Sequence, residues 1–572
     1  MIRLNRFWYW LALGASVILV VLVHVFGSRL LHASHFFEGV TIRLYLEQFR
    51  RALMALPLFL VWLGVSRVPA IGRRLTRLRT WWYQSRTPDI LGPVFFLALA
   101  VVIANFAYHR MPKADAVWCL FQTKVFALGR LYVPVPRYPE FFWSRVVAMN
   151  GKWFAYTSPG QSLVFLPGQL LGVAWLTGPI LGALAVVLLY SIARDAFGPK
   201  TGRTALLLAV TSPFMLFMFG SHELNIASVF FLILALFLLR SLPKSQGTVP
   251  GFRRQGLGLL AGLSTGMIFL CRPLTAVGVG LPVLILVAIK RRQVLIPFVL
   301  GGAALVALQL LYNRALTGGL FNFPYSQLGT VSAVGFSSQL GETSFGMSGH
   351  SLLRALANMG YQLFALSMQL SGWLFLSLLF VAPALFAAQF RRNWGIALTG
   401  LGLIIAYAFF WFHGVTPAGP KYWSEAMPAL FLLSATGVRA SARAAPRWFG
   451  LRRDLALRAI PFLVLYALAV YLPTSVDYLA RCRWGETPKV ADAVRARGLH
   501  NAVVFVRTDE QSGGFDYTSA FVFNDPLLRG DVVYARDLGT ENSRLMAEYP
   551  GRSFYRYDFN QETLEKLCPK GR

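Results

Sequence analysis

Acidic residues are scarce in this chain. Only 24 Asp and Glu stand against 55 Lys and Arg in 572 residues, and all charged residues together make up 14%. Too little charge is available to cover a soluble fold of this size, which excludes an ordinary soluble enzyme. Cysteine is scarce too, with four residues and no Cys-x-x-Cys, so neither a disulfide scaffold nor a cysteine-built metal cluster is expected. No G-x-x-x-x-G-K-[ST] loop is present to cradle a nucleotide phosphate. Low-complexity tails and internal repeats are also missing.

What the chain has instead is apolar surface: 56% of its residues are hydrophobic and 14% aromatic. That composition belongs to a polytopic membrane protein. The net charge of +31 lies in short tracts between apolar runs. This is how cytoplasmic loops collect Lys and Arg, so membrane lipids are expected as partners and nucleic acid is not.

Asking for about 20 apolar residues per crossing gives about thirteen transmembrane helices. They fall near 7–27, 52–70, 90–108, 177–195, 203–220, 226–240, 256–271, 274–289, 294–313, 371–390, 395–413, 427–442 and 456–474. The first follows a basic hexapeptide but has no clear small-residue cleavage site, so it reads as a retained helix rather than a signal peptide. With the N-terminus inside, every second loop is basic, from Arg73, Arg74, Arg77 and Arg79 to Arg439, Arg443, Arg447, Arg452 and Arg453. This alternation puts residues 109–176 and everything after 475 outside. Residues 161–176 are too short and too interrupted by Pro167 and Gly168 to span, and read as a helix at the outer interface. Cys271-Arg272-Pro273 breaks the run 256–289 and should be a hairpin tip at the outer surface.

Three regions follow: two helices and a basic inner loop at 1–89, a transmembrane core at 90–475, and a small soluble α/β domain at 476–572. In the last, strands are expected at 502–507, 531–535 and 553–557, with helices at 487–497 and 541–548. About 95 residues bury only a modest core, so docking on the membrane part or a bridge between Cys482 and Cys568 would help the domain.

The outer loops carry the chemistry. Asp115 follows the end of the third apolar run, with Lys113 before it and Tyr156 later in the same loop; His222 and Glu223, Arg272, and Lys421, Tyr422 and Glu425 come from other outer loops. Sugar transfer from a phosphate carrier needs a carboxylate to take the acceptor's proton and fixed positive charge for the leaving phosphate. Nucleotide sugars are cytosolic, so an outer site points to a lipid-linked donor. Each residue also has a plainer reading: Asp115 as an interfacial acid paired with Lys113, Arg272 and Lys421 as snorkelling anchors, and the aromatics as an interfacial belt.

Asp115 with Phe121-Gln122 and Gly129-Arg130-Leu131, the stretch from Tyr156 to Gly160, Ser221-His222, and Gly419-Pro420-Lys421-Tyr422 with Glu425 resemble the GT-C membrane glycosyltransferases. The resemblance runs over about 90–440 and is to the family-39-like group of aminoarabinose transferases and protein O-mannosyltransferases. It implies a GT-C fold and inverting transfer from a polyprenyl-phosphate sugar to a hydroxyl of a lipid, glycan or protein at the outer face of a bacterial cytoplasmic membrane. Asp115 matches the proposed base of the family's Asp-Glu pair, and Ala116 stands where the Glu would be. That departure argues against a second carboxylate or metal ligand in this loop, and leaves open whether a divalent metal takes part. By the same analogy Lys421 neutralises the carrier phosphate and His222 and Glu223 occupy a second polar position; Lys113, Tyr156, Tyr422 and Glu425 are taken as substrate contacts. Arg272 joins Lys421 on the phosphate because of its place at the hairpin tip. Two other classes use the same outer charges: a flippase or transporter of a lipid-linked precursor, and a non-catalytic envelope assembly protein.

Overall fold

The computed structural model describes residues 55–567 apart from 56, 60, 63, 67, 144–145, 243–250, 332, 343–346, 374–375, 386, 388–393, 449–452, 482–485 and 508–514. The expected span at 7–27 and both Cys482 and Cys568 lie outside the described residues, as do parts of 52–70 and 371–390.

Among the described residues five helices are long and apolar enough to cross a membrane: Thr87–Phe106, Ala174–Phe197, Pro273–Lys290, Arg292–Thr317 and Ala459–Ala480. A sixth crossing is possible if Pro199–Val210 and Pro213–Phe219 form one span, bent by 61°. The bend has a local cause. Pro213 has no N–H to continue the upstream ladder, and the Ser212 hydroxyl accepts the Met215 N–H, starting a new helix there. The protein is therefore a mostly helical, multi-pass membrane protein.

Several apolar helices are shorter than a bilayer core. Ala116–Ala127 has 12 residues, Ile226–Arg240 has 15 and Gly395–Ala408 has 14. At about 1.5 Å per residue these reach only about 18–23 Å. Pro159–Leu170, also 12 residues, overlaps the stretch 161–176 read as an interfacial helix but starts two residues earlier and ends six earlier, and it packs beside Ala116–Ala127.

Where helices cross closely, small residues sit at the contact. A Cβ at Gly262 would collide with the Phe298 carbonyl, and one at Gly301 would stand 2.5 Å from the Leu259 carbonyl. Helices Gly251–Cys271 and Leu295–Thr317 thus meet backbone to backbone, as expected where packing rather than solvent exclusion drives association.

Strands Ala502–Arg507, Val532–Arg536, Ser553–Asp558 and Thr563–Leu567 form a four-stranded sheet. Ala502–Arg507 is central and parallel to both Val532–Arg536 and Ser553–Asp558, and Thr563–Leu567 adds antiparallel at the edge. The sheet does not keep its core to itself. Met111, Phe121, Phe141, Trp153 and Tyr156 share one buried apolar cluster with Val503, Phe505, Phe521 and Tyr557. Phe521 lies 5.6 Å from Phe121 and 6.0 Å from Trp153, ring to ring, and Phe141 lies 6.3 Å from Phe505. Lys124 adds a polar anchor, donating to the Val522 and Asn524 carbonyls at 2.5 and 3.1 Å.

Candidate active site

Helix Thr87–Phe106 ends in a tight, unusual turn. His109, Arg110 and Ala114 have φ of 52°, 57° and 47°, the left-handed region that costs an L residue roughly 1–2 kcal/mol. Asp115 follows at once and opens helix Ala116–Ala127, yet its carboxylate does not cap that helix. It turns instead to two other partners.

The Tyr156 hydroxyl donates to Asp115 Oδ1 at 2.8 Å, and the Lys421 ammonium donates to Oδ2 at 2.9 Å. Tyr156 arrives just after strand Lys152–Ala155, with its ring 5.6 Å from Trp118 and 5.5 Å from Tyr325. Lys421 begins the 3-10 turn Lys421–Ala426, held by its own N–H to the Gly414 carbonyl at 3.0 Å. The Lys421 side chain is 9% exposed and that of Asp115 26%. Burial works against the charge of Lys421, but Asp115 and then Glu223 hold its pKa above the ordinary lysine value.

A second group adjoins this pair. Glu425, fully buried, accepts hydrogen bonds from the Ser228 and Ser424 hydroxyls, and its pKa is pushed up by burial against the opposing effect of Arg272. Asn225 connects the groups: its amide donates to the Lys421 carbonyl at 2.6 Å, and its side-chain oxygen accepts from Arg272. The Arg272 guanidinium lies 5.0 Å over the Tyr422 ring and 5.7 Å over Tyr407, which stack at 4.9 Å and 12°. Arg272 is extended, with φ −150° and ψ 95°, between helices Gly251–Cys271 and Pro273–Lys290. Helix Pro159–Leu170 presses on that turn: a Cβ at Gly160 would lie 2.6 Å from Leu270 C and 2.7 Å from Cys271 N.

Glu223 has its pKa raised by burial first and by Asp115, against the pull of Lys421 and Arg272. It is therefore within electrostatic reach of the Asp115 pair, and its carbonyl accepts from Gln161. His222 is buried with its ring against Phe165 at 5.6 Å, and burial lowers its pKa to about 4, so it is neutral at pH 7. Lys113 donates to the backbone carbonyl of Glu486 rather than lining an open cleft.

Asp115, Tyr156 and Lys421 are thus in direct contact, and Arg272, Tyr422 and Glu425 adjoin them through Asn225. Asn225, Ser228, Tyr325 and Tyr407 were not singled out from the sequence. Asn225 alone carried a signal, two residues beyond Glu223 in the same short loop. Among the described residues no three His, Cys, Asp or Glu are grouped so as to hold a metal ion. What the site offers is a carboxylate between a phenol and an ammonium, with a second cation nearby.

Residues 164–313 match the family model of dolichyl-phosphate-mannose-protein mannosyltransferase, and residues 502–567 match a domain of unknown function, DUF7846. Comparison with curated proteins gives no significant match. ArnT from Cupriavidus metallidurans has a similar fold in its apo state, with a TM-score of 0.54 and 15% identity over 82% of this chain and 92% of that one. The same protein bound to undecaprenyl phosphate matches with a TM-score of 0.50 and 13% identity, over 83% and 93%. The Archaeoglobus fulgidus oligosaccharyltransferase tethered to an acceptor peptide gives 0.47 and 11% identity, over 83% of this chain and 69% of its own. The segment 164–313 is thus similar to the protein mannosyltransferases, and the fold of the chain is similar to that of ArnT, a GT-C glycosyltransferase fold.

Proposed function

We propose that the protein transfers a sugar from a polyprenyl-phosphate carrier to an acceptor hydroxyl on a lipid, glycan or protein at the outer face of a bacterial cytoplasmic membrane. The observation that carries this reading is the contact between Asp115 and Lys421, side chains 306 positions apart in the sequence. Support for the carrier comes from the ArnT structure holding undecaprenyl phosphate on a similar fold.

In this reading the acceptor oxygen attacks the anomeric carbon, the bond from that carbon to the phosphate oxygen breaks, and the acceptor proton passes to Asp115. A single displacement inverts the anomeric centre. Lys421 neutralises Asp115 in the resting site and turns to the carrier phosphate when that anion arrives, freeing the carboxylate for the proton. Arg272 supplies the second positive charge beside the leaving phosphate. Tyr156 holds the carboxylate in place through one oxygen, and Glu223 completes the polar wall.

The test compares envelope lipids, glycans and glycoproteins by mass spectrometry between wild-type cells and cells holding equal amounts of the Asp115→Asn protein. A sugar-sized mass missing from one acceptor, with the carrier-linked sugar accumulating, is the expected result. Unchanged profiles, where deletion of the gene does alter the envelope, would remove Asp115 as base and return the choice to a flippase or an assembly protein.

A further inference from the structure

Glu486 lies beyond the last helix of the membrane part, yet it is only 1% exposed. Both its carboxylate oxygens stand 2.9 Å from the backbone N–H of Ala114. Ala114 is the residue at φ 47° immediately before Asp115. The Lys113 ammonium answers from the other side by donating to the Glu486 backbone carbonyl. Glu486 is in turn tied to the C-terminal region, because the next N–H, that of Thr487, donates to the Ser519 hydroxyl at 3.0 Å.

Burying a carboxylate is costly unless hydrogen bonds and charge compensate it, and the Glu486 carboxylate finds these in the Ala114 N–H, its own backbone N–H and the Lys113 ammonium, all in or beside the turn before Asp115. Here it meets the one peptide whose left-handed conformation sets the direction of the next side chain. An Ala has no intrinsic preference for that conformation, so a partner outside the turn has to hold it. We propose that Glu486 is a positioning residue for the transfer reaction: it clamps Ala114 in its left-handed turn and thereby aims the Asp115 carboxylate at Tyr156 and Lys421. The proposal rests on the reading of Asp115 as base. It gives the C-terminal region a part in the reaction without placing any of its atoms on the substrate.

The experiment uses full-length protein with Glu486→Leu, Glu486→Gln and Asp115→Asn, each matched to wild type in amount. Two readouts are taken: hydrogen exchange of the peptide containing Ala114, and the sugar-bearing product in cells. Glu486→Leu is expected to speed exchange at Ala114 at least tenfold and to lower product at least tenfold. Glu486→Gln keeps an acceptor oxygen and should restore most of both. Asp115→Asn should abolish product while Ala114 stays protected. Slow exchange in Glu486→Leu overturns the clamp. So does fast exchange with product at the wild-type level while Asp115→Asn has none. Product surviving in Asp115→Asn defeats the base assignment instead, and the exchange result still decides the clamp. Should Glu486→Leu not accumulate, Glu486→Asp, which withdraws the acceptor by one methylene, takes its place with the same expected and overturning results.

Discussion

Asp115 is held by two groups of different character, and removing each should leave a different trace. Tyr156→Phe deletes one hydrogen bond to a charged oxygen, worth about 1.5–3 kcal/mol. Transfer should slow about ten- to a hundredfold with the fold intact, measured as product formed per amount of protein. Lys421→Met removes the ammonium from a partly buried pair and leaves Asp115, 26% exposed, without its cation, a loss in stability below the roughly 3–5 kcal/mol of a fully buried pair. Its expected signature is a lower melting temperature as well as lost product. Glu425 tests burial itself. Its pKa in the folded protein is raised, by burial first, so its favourable contribution is present below the ordinary carboxylate value and is lost as pH rises through the folded value. Glu425→Gln should therefore gain melting temperature relative to wild type on going from pH 5 to pH 8; the opposite slope would mean that the carboxylate is stabilised in place. The sequence made Asp115 and Lys421 legible because each stands beside an apolar run in a loop of the same orientation. It could not reveal Glu486, a single acid in a polar stretch whose partner is a backbone N–H some 370 residues away.

Short helices and sharp turns build the site, and their legibility depended on whether the sequence interrupts an apolar run. Arg272-Pro273 does, and the turn between the two helices lies there. Thr211-Ser212-Pro213 interrupts less, because Thr and Ser are small and the run stays apolar around them; the expected single span at 203–220 is instead two helices bent by 61°. In the C-terminal region strands at 502–507, 531–535 and 553–557 were readable from β-branched and aromatic residues. The edge strand Thr563–Leu567 carries Glu565 and Lys566 and shows no apolar alternation. The joint between elements that bears most directly on the site is Gly160 on the backbone before Arg272. Gly160→Ala meets backbone atoms that cannot rotate away, so a loss of about 1–3 kcal/mol is expected. A thermal unfolding scan with no change would show that helix Pro159–Leu170 can slide.

Across the whole molecule, the alternation of basic loops implies that Arg77 and Arg137 face opposite sides of the membrane. Each replaced singly by cysteine, in a Cys482→Ser, Cys568→Ser background, gives a direct check. Arg137→Cys should react with an impermeant maleimide in intact cells, and Arg77→Cys only after permeabilisation. Both side chains are exposed, and Cys119 and Cys271 are buried. Phe521→Ala probes the joint between the outer loop and the C-terminal sheet. Loss of a buried ring costs about 3–5 kcal/mol, and Phe521 packs on Phe121 and Trp153 of the loop and on Tyr517 of its own region, so protease sites in residues 111–156 and in 515–567 should open together.

That shared core also orders events during synthesis. The ribosome finishes residues 111–156 early, but the ring and carbonyls they pack against come about 400 positions later, as between Lys124 and Val522. A nascent chain has Asp115 long before it has Phe521 or Glu486. In the proposed reaction the loop of Asp115 therefore stays unfinished until Glu486 and Phe521 have been made, and a chain that stops before them carries the acid without the frame that points it.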